Sequence, residues 1–586
     1  MMHISRLTKR LTAVLTSMVL LLVVILPVSV AKSASPTSQT LKVMVMSDTH
    51  MIVESMIKGT EDYQHAIDRD QKVFNESEAV VDKQLEKVLH ARPDVLLLSG
   101  DLTKDGEYRG HKALAKKMRA LKQKLPGLKI YVTNGKHDLN NSDAKEFNTA
   151  DGTAIPAKKT TPQDFRTIYD DITWQDPTVR ETYGLSYMAR PAKGFTFIVI
   201  DTNCYTADTT FNGKNEHETR GAIPDDVLEW AVRKTKAAQT RGDTVIGMCH
   251  HGLVAHFTQE PTVMGDFLVG DFKTVSETLA DAGMHYVFTG HLHSQDVAVM
   301  RTEKGNTLYD IETGSSITYP CPMRAVSITR TNIGKADTDN GAKELLKGIT
   351  IQNLPISHKD PQTGVWRDIS DMTAYSKEKG FNTAVLVTVL KEALGNALGE
   401  YPTALDTAID KLIPDLMDMP VTADGKHSLL DTVNFAHKKH LAGLDHGGDP
   451  AWYREARQNV EDGRFLAALT DTLCRDLAVL TGQGVNTLAK TELIKGPTVD
   501  ALHHGLFGAA HVGYYTAPQI ARDLNEFMAK TLDSLAQDNN YKDDLTFTIT
   551  GANVRKTGPA DWSSVAHGVS ETNVVQKLIG ALLGNG

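Results

Sequence analysis

The sequence predicts an α/β protein with a mainly α-helical C-terminal part. Three observations carry that reading. Between residues 41 and 293, short apolar runs alternate with longer segments of helical periodicity, the pattern of strands connected through helices. Between 296 and 351 the apolar runs follow one another directly, which points to a mixed sheet with a second sheet beside it. From 371 to about 537 the periodicity is helical, with few strand-like runs. The 586 residues are enough for two or three domains with sizeable cores.

Taken in order, the chain opens with a basic head (Arg6, Lys9, Arg10) and an apolar run over 11–30. Ser29-Val30-Ala31 then offers small residues at the spacing a signal peptidase reads, so 1–31 is expected to be a signal peptide. The run is also long enough to serve as an uncleaved anchor, since about 20 helical residues span a bilayer. The folded part is therefore expected to be secreted or extracytoplasmic, with membrane attachment only if that segment is retained. Residues 32–40 read as a disordered spacer. Strands are expected at 41–46, 94–98, 128–133, 195–201, 243–249 and 285–288, with helices at 79–91, 110–125, 224–241 and 272–282. Pro93 ends the first helix and Pro224 opens the third. The stretch 140–194 is polar and loop-rich, and no element is assigned in it. Further β segments follow at 296–300, 307–311, 325–329 and 348–351. A turn-rich linker at 360–364 separates a first domain, 41–355, from a mainly helical one, 356–586. The latter closes with a short strand at 545–550 and an amphipathic helix at 573–583.

Composition excludes some classes. The chain is 41% apolar and 23% charged, with a net charge of -9 and a pI of about 6.2. No general attraction to nucleic acid polymers or anionic membranes follows from that balance. Cys204, Cys249, Cys321 and Cys474 are far apart and form no C-x-x-C; one bridge remains possible, but the fold cannot depend on a dense set of them.

The chemistry lies at strand ends. The run 41–46 leads into Ser47-Asp48-Thr49-His50, where strand alternation is expected to turn Asp48 and His50 to one side. Asp101 follows the second strand, His250 and His251 the strand at 243–249, and His291 and His293 the strand at 285–288. One such loop is uninformative. Four in succession, with carboxylate and imidazole donors and no thiolate, point to a metal site at the carboxyl ends of a sheet.

Asp48-Thr49-His50, Gly100-Asp101, Gly135-Lys136-His137-Asp138, His250-His251 and Gly290-His291-Leu292-His293 resemble, in order and spacing, the five blocks of the calcineurin-like metallophosphoesterases. The resemblance covers about 41–351 and implies a sandwich of two mixed sheets flanked by helices. The exported, helical C-terminal arrangement is further similar to bacterial cyclic-nucleotide phosphodiesterases of that superfamily. By resemblance, Asp48, His50 and His293 hold a first metal, His250 and His291 a second, and Asp101 bridges them. His250 is chosen over His251 on the same ground. His137 matches the family's non-ligand histidine, which stabilises the phosphoryl group and protonates the leaving oxygen, and Asp138 is a candidate to orient it. His256 is a candidate for the substrate pocket. The implied cofactors are two divalent transition-metal ions (Mn, Fe or Zn), the substrate a small phosphoester. Two such ions about 4 Å apart neutralise phosphate oxygens and lower the pKa of a bridging water.

Lys136 departs from the pattern, which has asparagine there. A protonated lysine has no acceptor and cannot ligate. Three outcomes stay open: a weakened second site with Lys136 holding the phosphate, a deprotonated Lys136, or substitution by Asn134. Two functional alternatives also stay open, a phosphomonoesterase and a non-catalytic binding protein. In the helical part, His437 and His440 share a helix face at i, i+3, and are read as solvated or hydrogen-bonded rather than as another metal site.

Overall fold

The computed structural model describes residues 38–68, 70–204, 220–332, 342–379, 383, 387, 410–411, 413–444, 448–481, 517–536 and 544–552. The expected signal segment and the helix at 573–583 lie outside them. Among the described residues no helix is long and apolar enough to cross a membrane.

The strands are β1 (Ser38–Met46), β2 (Val95–Ser99), β3 (Lys129–Thr133), β4 (Lys145–Glu146), β5 (Ile155–Pro156), β6 (Val179–Tyr183), β7 (Ser186–Ala189) and β8 (Phe195–Val199). They continue with β9 (Thr244–Met248), β10 (Tyr286–Thr289), β11 (Val297–Arg301), β12 (Thr307–Glu312), β13 (Met323–Asn332), β14 (Ala342–Ile351), β15 (Ile356–Lys359), β16 (Trp366–Ile369) and β17 (Thr546–Ala552). One sheet has the order β17-β14-β13-β1-β2-β3, the other β11-β12-β10-β9-β8-β7-β6. Both are mixed. The segment β1-β2-β3 is parallel, as is β8-β9-β10-β12. Parallel strands need both faces covered, and Val95–Ser99 is buried at every position. The main core lies between the sheets: Val43, Leu97 and Tyr131 from the first pack in one cluster with Phe197, Ile246 and Tyr286 from the second.

Helices α1 (Ser77–Ala91) and α2 (Tyr108–Lys124) pack on this core with Val81, Leu85, Val88, Leu114 and Met118. Before Pro93, the first of them is closed by Arg92 in the left-handed region, whose N–H donates to Val88 O at 3.0 Å. The stretch 140–194 is not all loop. It holds α3 (Pro162–Tyr169), opened by a capping box between Thr161 and Asp164, and the hairpin β6–β7. Helices α4 (Asp225–Thr240) and α5 (Phe272–Ala282) cover the outer face of the second sheet with Leu228, Trp230, Val275 and Leu279. In the C-terminal part, α6 (Leu429–Leu441), α7 (Ala451–Glu461), α8 (Leu466–Thr481) and α9 (Ala517–Ala536) share a separate cluster around Leu429, Tyr453, Val460 and Leu532.

Three expectations need correction. Ser38, Gln39 and Thr40, placed in a disordered spacer, extend β1 and pair with Thr331, Arg330 and Thr329. The strand assigned to the helical part, β17, is instead the edge strand of the first sheet, paired with β14 from Lys343↔Ala552 to Ile349↔Thr546. Residues 360–365 form the turn of the β15–β16 hairpin, not a free linker. All four cysteines are free thiols.

Candidate metal centre

Because β1, β2, β3, β9 and β10 are parallel within their sheets, their carboxyl ends share an edge, and the loops after them meet. Asp48 N donates to Gly100 O at 3.1 Å, His50 N to Asp101 O at 2.9 Å, and Gly290 N to His250 O at 3.0 Å. The backbone here is unusual. Asp48, His50, Asp101, His291 and His293 all have positive φ, between 36° and 75°. Such conformations cost of order 1–3 kcal/mol each in non-glycine residues and cluster at functional sites. They also replace the alternation argument for Asp48 and His50. β1 stops at Met46, and the two side chains converge because left-handed residues fold the loop inward.

Three overlapping groups result, each with ligand atoms within 4.8 Å of one another: Asp48, His50 and His293; His50, Asp101 and His137; Asp101, His250 and His291. His50 Nε2 faces His293 Nε2 at 3.2 Å, and Asp48 Oδ1 lies 3.3 Å from His293 Nε2. Asp48 Oδ2 is anchored by Ser47 Oγ and by His291 N at 3.1 Å, which leaves Oδ1 buried without a hydrogen bond and aimed at the imidazoles. His250 Nδ1 lies 2.8 Å from Ser99 O. A carbonyl only accepts, so that nitrogen carries the proton. Nε2, buried and without a hydrogen bond of good geometry, faces Asp101 Oδ2 at 3.3 Å. These orphaned donor atoms, all oxygen or imidazole nitrogen, fit divalent cations.

Charge follows the same lines. Burial holds the imidazoles of His50, His291 and His293 below their ordinary range, so each keeps a lone pair. Burial would raise the Asp101 carboxyl, but His250 beside it, with His137 and His50, holds it well below. Burial lowers His250 too, and is outweighed by Asp101, which helps push it up to about 9. Gly135 and Gly290 are required for the close approach. A Cβ on the former would meet Asp101 and stand 2.7 Å from His250 Nε2; one on the latter would meet Ser47 and Asp48.

The remaining expected residues separate. His250 belongs to a candidate group, whereas the His251 Nδ1 lies 2.8 Å from Thr202 Oγ1. His137 is more open than the ligands, at 19% exposure, and its Nδ1 lies 3.0 Å from Asp105 Oδ1. Asp105, not Asp138, therefore orients that ring. Asp138 instead accepts from Leu102 N (2.8 Å), Thr103 N (3.2 Å) and Gly135 N (2.8 Å), tying two ligand loops together. The sequence pattern does not single out Asp105, although Asp101-Leu-Thr-Lys-Asp105 places a second carboxylate four residues past the first. Lys136 is half-buried. Burial lowers its ammonium, against the pull of Asp101. Asn134 is buried, with Nδ2 2.8 Å from Asp201 Oδ1. Phe267, also unanticipated, stacks on His291 at 4.5 Å. His256 departs from the expectation of an open pocket residue: it is fully buried among carboxylates, with Nδ1 2.8 Å from Asp296 Oδ2. His440 is buried against Phe257, with rings 5.2 Å apart.

Residues 41–295 match the family model of the calcineurin-like phosphoesterases. No curated protein matches the sequence. Among solved structures, a dimetal phosphatase from Danio rerio is 13% identical, covering 53% of this chain and 98% of its own, with a TM-score of 0.32. A phosphopantetheinyl hydrolase from Mycobacterium tuberculosis is 12% identical, covering 47% and 89%, with a TM-score of 0.22.

Proposed function

We propose, from the premise that residues 41–295 belong to the calcineurin-like phosphoesterase superfamily and that the protein is a hydrolase of phosphoester bonds, that it cleaves phosphodiesters at a pair of divalent transition-metal ions. The observation that carries this is the convergence of three ligand groups sharing His50 and Asp101. Asp48, His50 and His293 would hold one ion and His250 and His291 the other, with Asp101 available to both. Bound there, the ions supply Lewis-acid neutralisation of phosphate oxygens and a water of lowered pKa. Mn, Fe or Zn suits the mixed oxygen and nitrogen donors.

The chain's own groups do the rest. His137, oriented by Asp105, stabilises the phosphoryl group and returns a proton to the leaving oxygen. Lys136 holds the phosphate as a point charge where the family pattern has an amide. A small cyclic nucleotide is the substrate class we put forward, on the resemblance to exported bacterial phosphodiesterases. The basic, apolar N-terminal segment supports export.

The test is turnover of bis(p-nitrophenyl) phosphate against p-nitrophenyl phosphate in saturating Mn²⁺. Preference for the diester is expected. Preference for the monoester would make the protein a phosphomonoesterase, and turnover of neither, with metal bound, a binding protein. Metal content of Lys136→Asn should show second-site affinity raised on the order of tenfold, as removal of a cation beside a divalent ion requires. Equal occupancy in both proteins would show that Lys136 does not weaken the site.

A further inference from the structure

His256 belongs to a second polar group, behind the metal cluster. Its Nδ1 lies 2.8 Å from Asp296 Oδ2, and its Nε2 lies 3.4 Å from Glu312 Oε2 and 3.8 Å from Asp310 Oδ2. All four side chains are fully buried. Carboxylates only accept when ionised, so the ring donates through Nδ1 to Asp296, while Nε2, without a hydrogen bond of good geometry, sits among the oxygens of Glu312 and Asp310.

The carboxylates reach further. Asp310 Oδ2 accepts from Leu253 N at 2.7 Å and Val254 N at 3.1 Å, just after His250. Asp310 Oδ1 accepts from Thr289 Oγ1, two residues before His291. Glu312 Oε1 accepts from Ser294 N at 3.0 Å, next to His293. Asp296 accepts through Oδ1 from Val297 N at 2.6 Å. Asp310 and Glu312 lie on β12, which carries no candidate ligand. They therefore join the two candidate ligand loops of the second sheet to a rigid strand, and the His256 ring fills the space between these carboxyl groups in a dry interior. The group is closed by Glu260 Oε2, which accepts from His256 N at 2.6 Å, and by His440 of α6 against Phe257. The end of α6 also meets the loop directly, with Gln295 N donating to Leu441 O at 3.1 Å.

We propose that His256 is a positioning residue for the metal pair: through Asp310 and Glu312 it fixes the His250 loop against the His291–His293 loop. The inference rests on the two-metal reading above, but it is tested by metal affinity, which needs no turnover.

The measurement is Mn²⁺ affinity and metal per chain for wild type, His256→Leu and the pair His256→Leu/Glu312→Gln, with kcat and KM for bis(p-nitrophenyl) phosphate. Expected for His256→Leu is a loss of at least tenfold in Mn²⁺ affinity and in kcat, with KM within threefold at saturating Mn²⁺. The double variant should recover threefold or more of the affinity, because one of the three carboxyl groups crowded there is made neutral. A folded His256→Leu with wild-type Mn²⁺ affinity overturns the proposal, as does a rise in KM alone, which would make His256 a substrate contact. If His256→Leu does not fold, Asp310→Asn replaces it, and unchanged Mn²⁺ affinity there overturns the proposal equally. A wild type that binds Mn²⁺ yet hydrolyses neither ester defeats the proposed function and leaves the affinity comparison standing.

Discussion

At the scale of residues, the site depends on which atom of each side chain is already occupied. Asp48 gives one oxygen to Ser47 and His291 and leaves the other buried without a hydrogen bond, free to meet a cation. Asp101 gives Oδ1 to His137 N at 2.7 Å and turns Oδ2 to His250. Such anchoring fixes ligand orientation before any ion arrives. His137 differs from the other histidines of the cluster in being the most open, with its Nδ1 facing Asp105 Oδ1. Asp105→Asn should lower kcat on the order of 10- to 100-fold while metal per chain, measured by elemental analysis, stays unchanged. A fall in metal content would place Asp105 in the metal site instead. Glu260 gives a prediction in pH. Burial pushes its carboxyl from 4.5 up to about 7, against His256. A raised carboxyl stabilises the fold below its ordinary pKa, and that contribution is lost as pH rises to about 7. Glu260→Gln lacks this loss, so relative to wild type it should gain up to about 3 kcal/mol between pH 4 and pH 8. Urea unfolding at the two pH values checks it, and a constant difference between the proteins refutes it.

At the scale of elements, each ligand is carried by a loop that leaves a buried parallel strand and turns at once. The strands are readable because they are short and apolar on both faces, as in Val95–Ser99. The turns are harder: aspartate and histidine are enriched among non-glycine residues at positive φ, but such residues are only a few per cent, so identity alone does not place them. Glycine marks where two loops touch. Gly135→Ala should push the β3 loop off Asp101 and His250, reducing Mn²⁺ affinity on the order of tenfold and stability by about 1–3 kcal/mol. Wild-type affinity in that variant would mean that the loop moves freely. Helix α3 shows the opposite case. Thr161-Pro162-Gln163-Asp164 is a readable capping signal, and Phe165, Ile168 and Tyr169 follow at helical spacing, yet the surrounding polarity hid both.

At the scale of the whole molecule, the two parts of the chain are joined by backbone pairing. β17 completes the first sheet at β14, and the Phe547 ring packs fully buried against Gly348, with the Arg324 guanidinium 5.5 Å from its centre. Phe547→Ala should cost about 3–5 kcal/mol in urea unfolding of the entire protein, although it lies beyond the helical segment. A cost under about 1 kcal/mol would mean that the edge strand contributes little. Strand and helix spacing, the five strand-end motifs and the departure at Lys136 were determined by sequence alone, since periodicity and residue chemistry are local properties. Tertiary structure decided what depends on partners distant in the chain. It gave β17 to the first sheet, Asp105 to His137, and His256 to a buried carboxylate group. A side chain's role is set by the atom it meets, and for these residues that atom comes from a segment whose position no local pattern encodes.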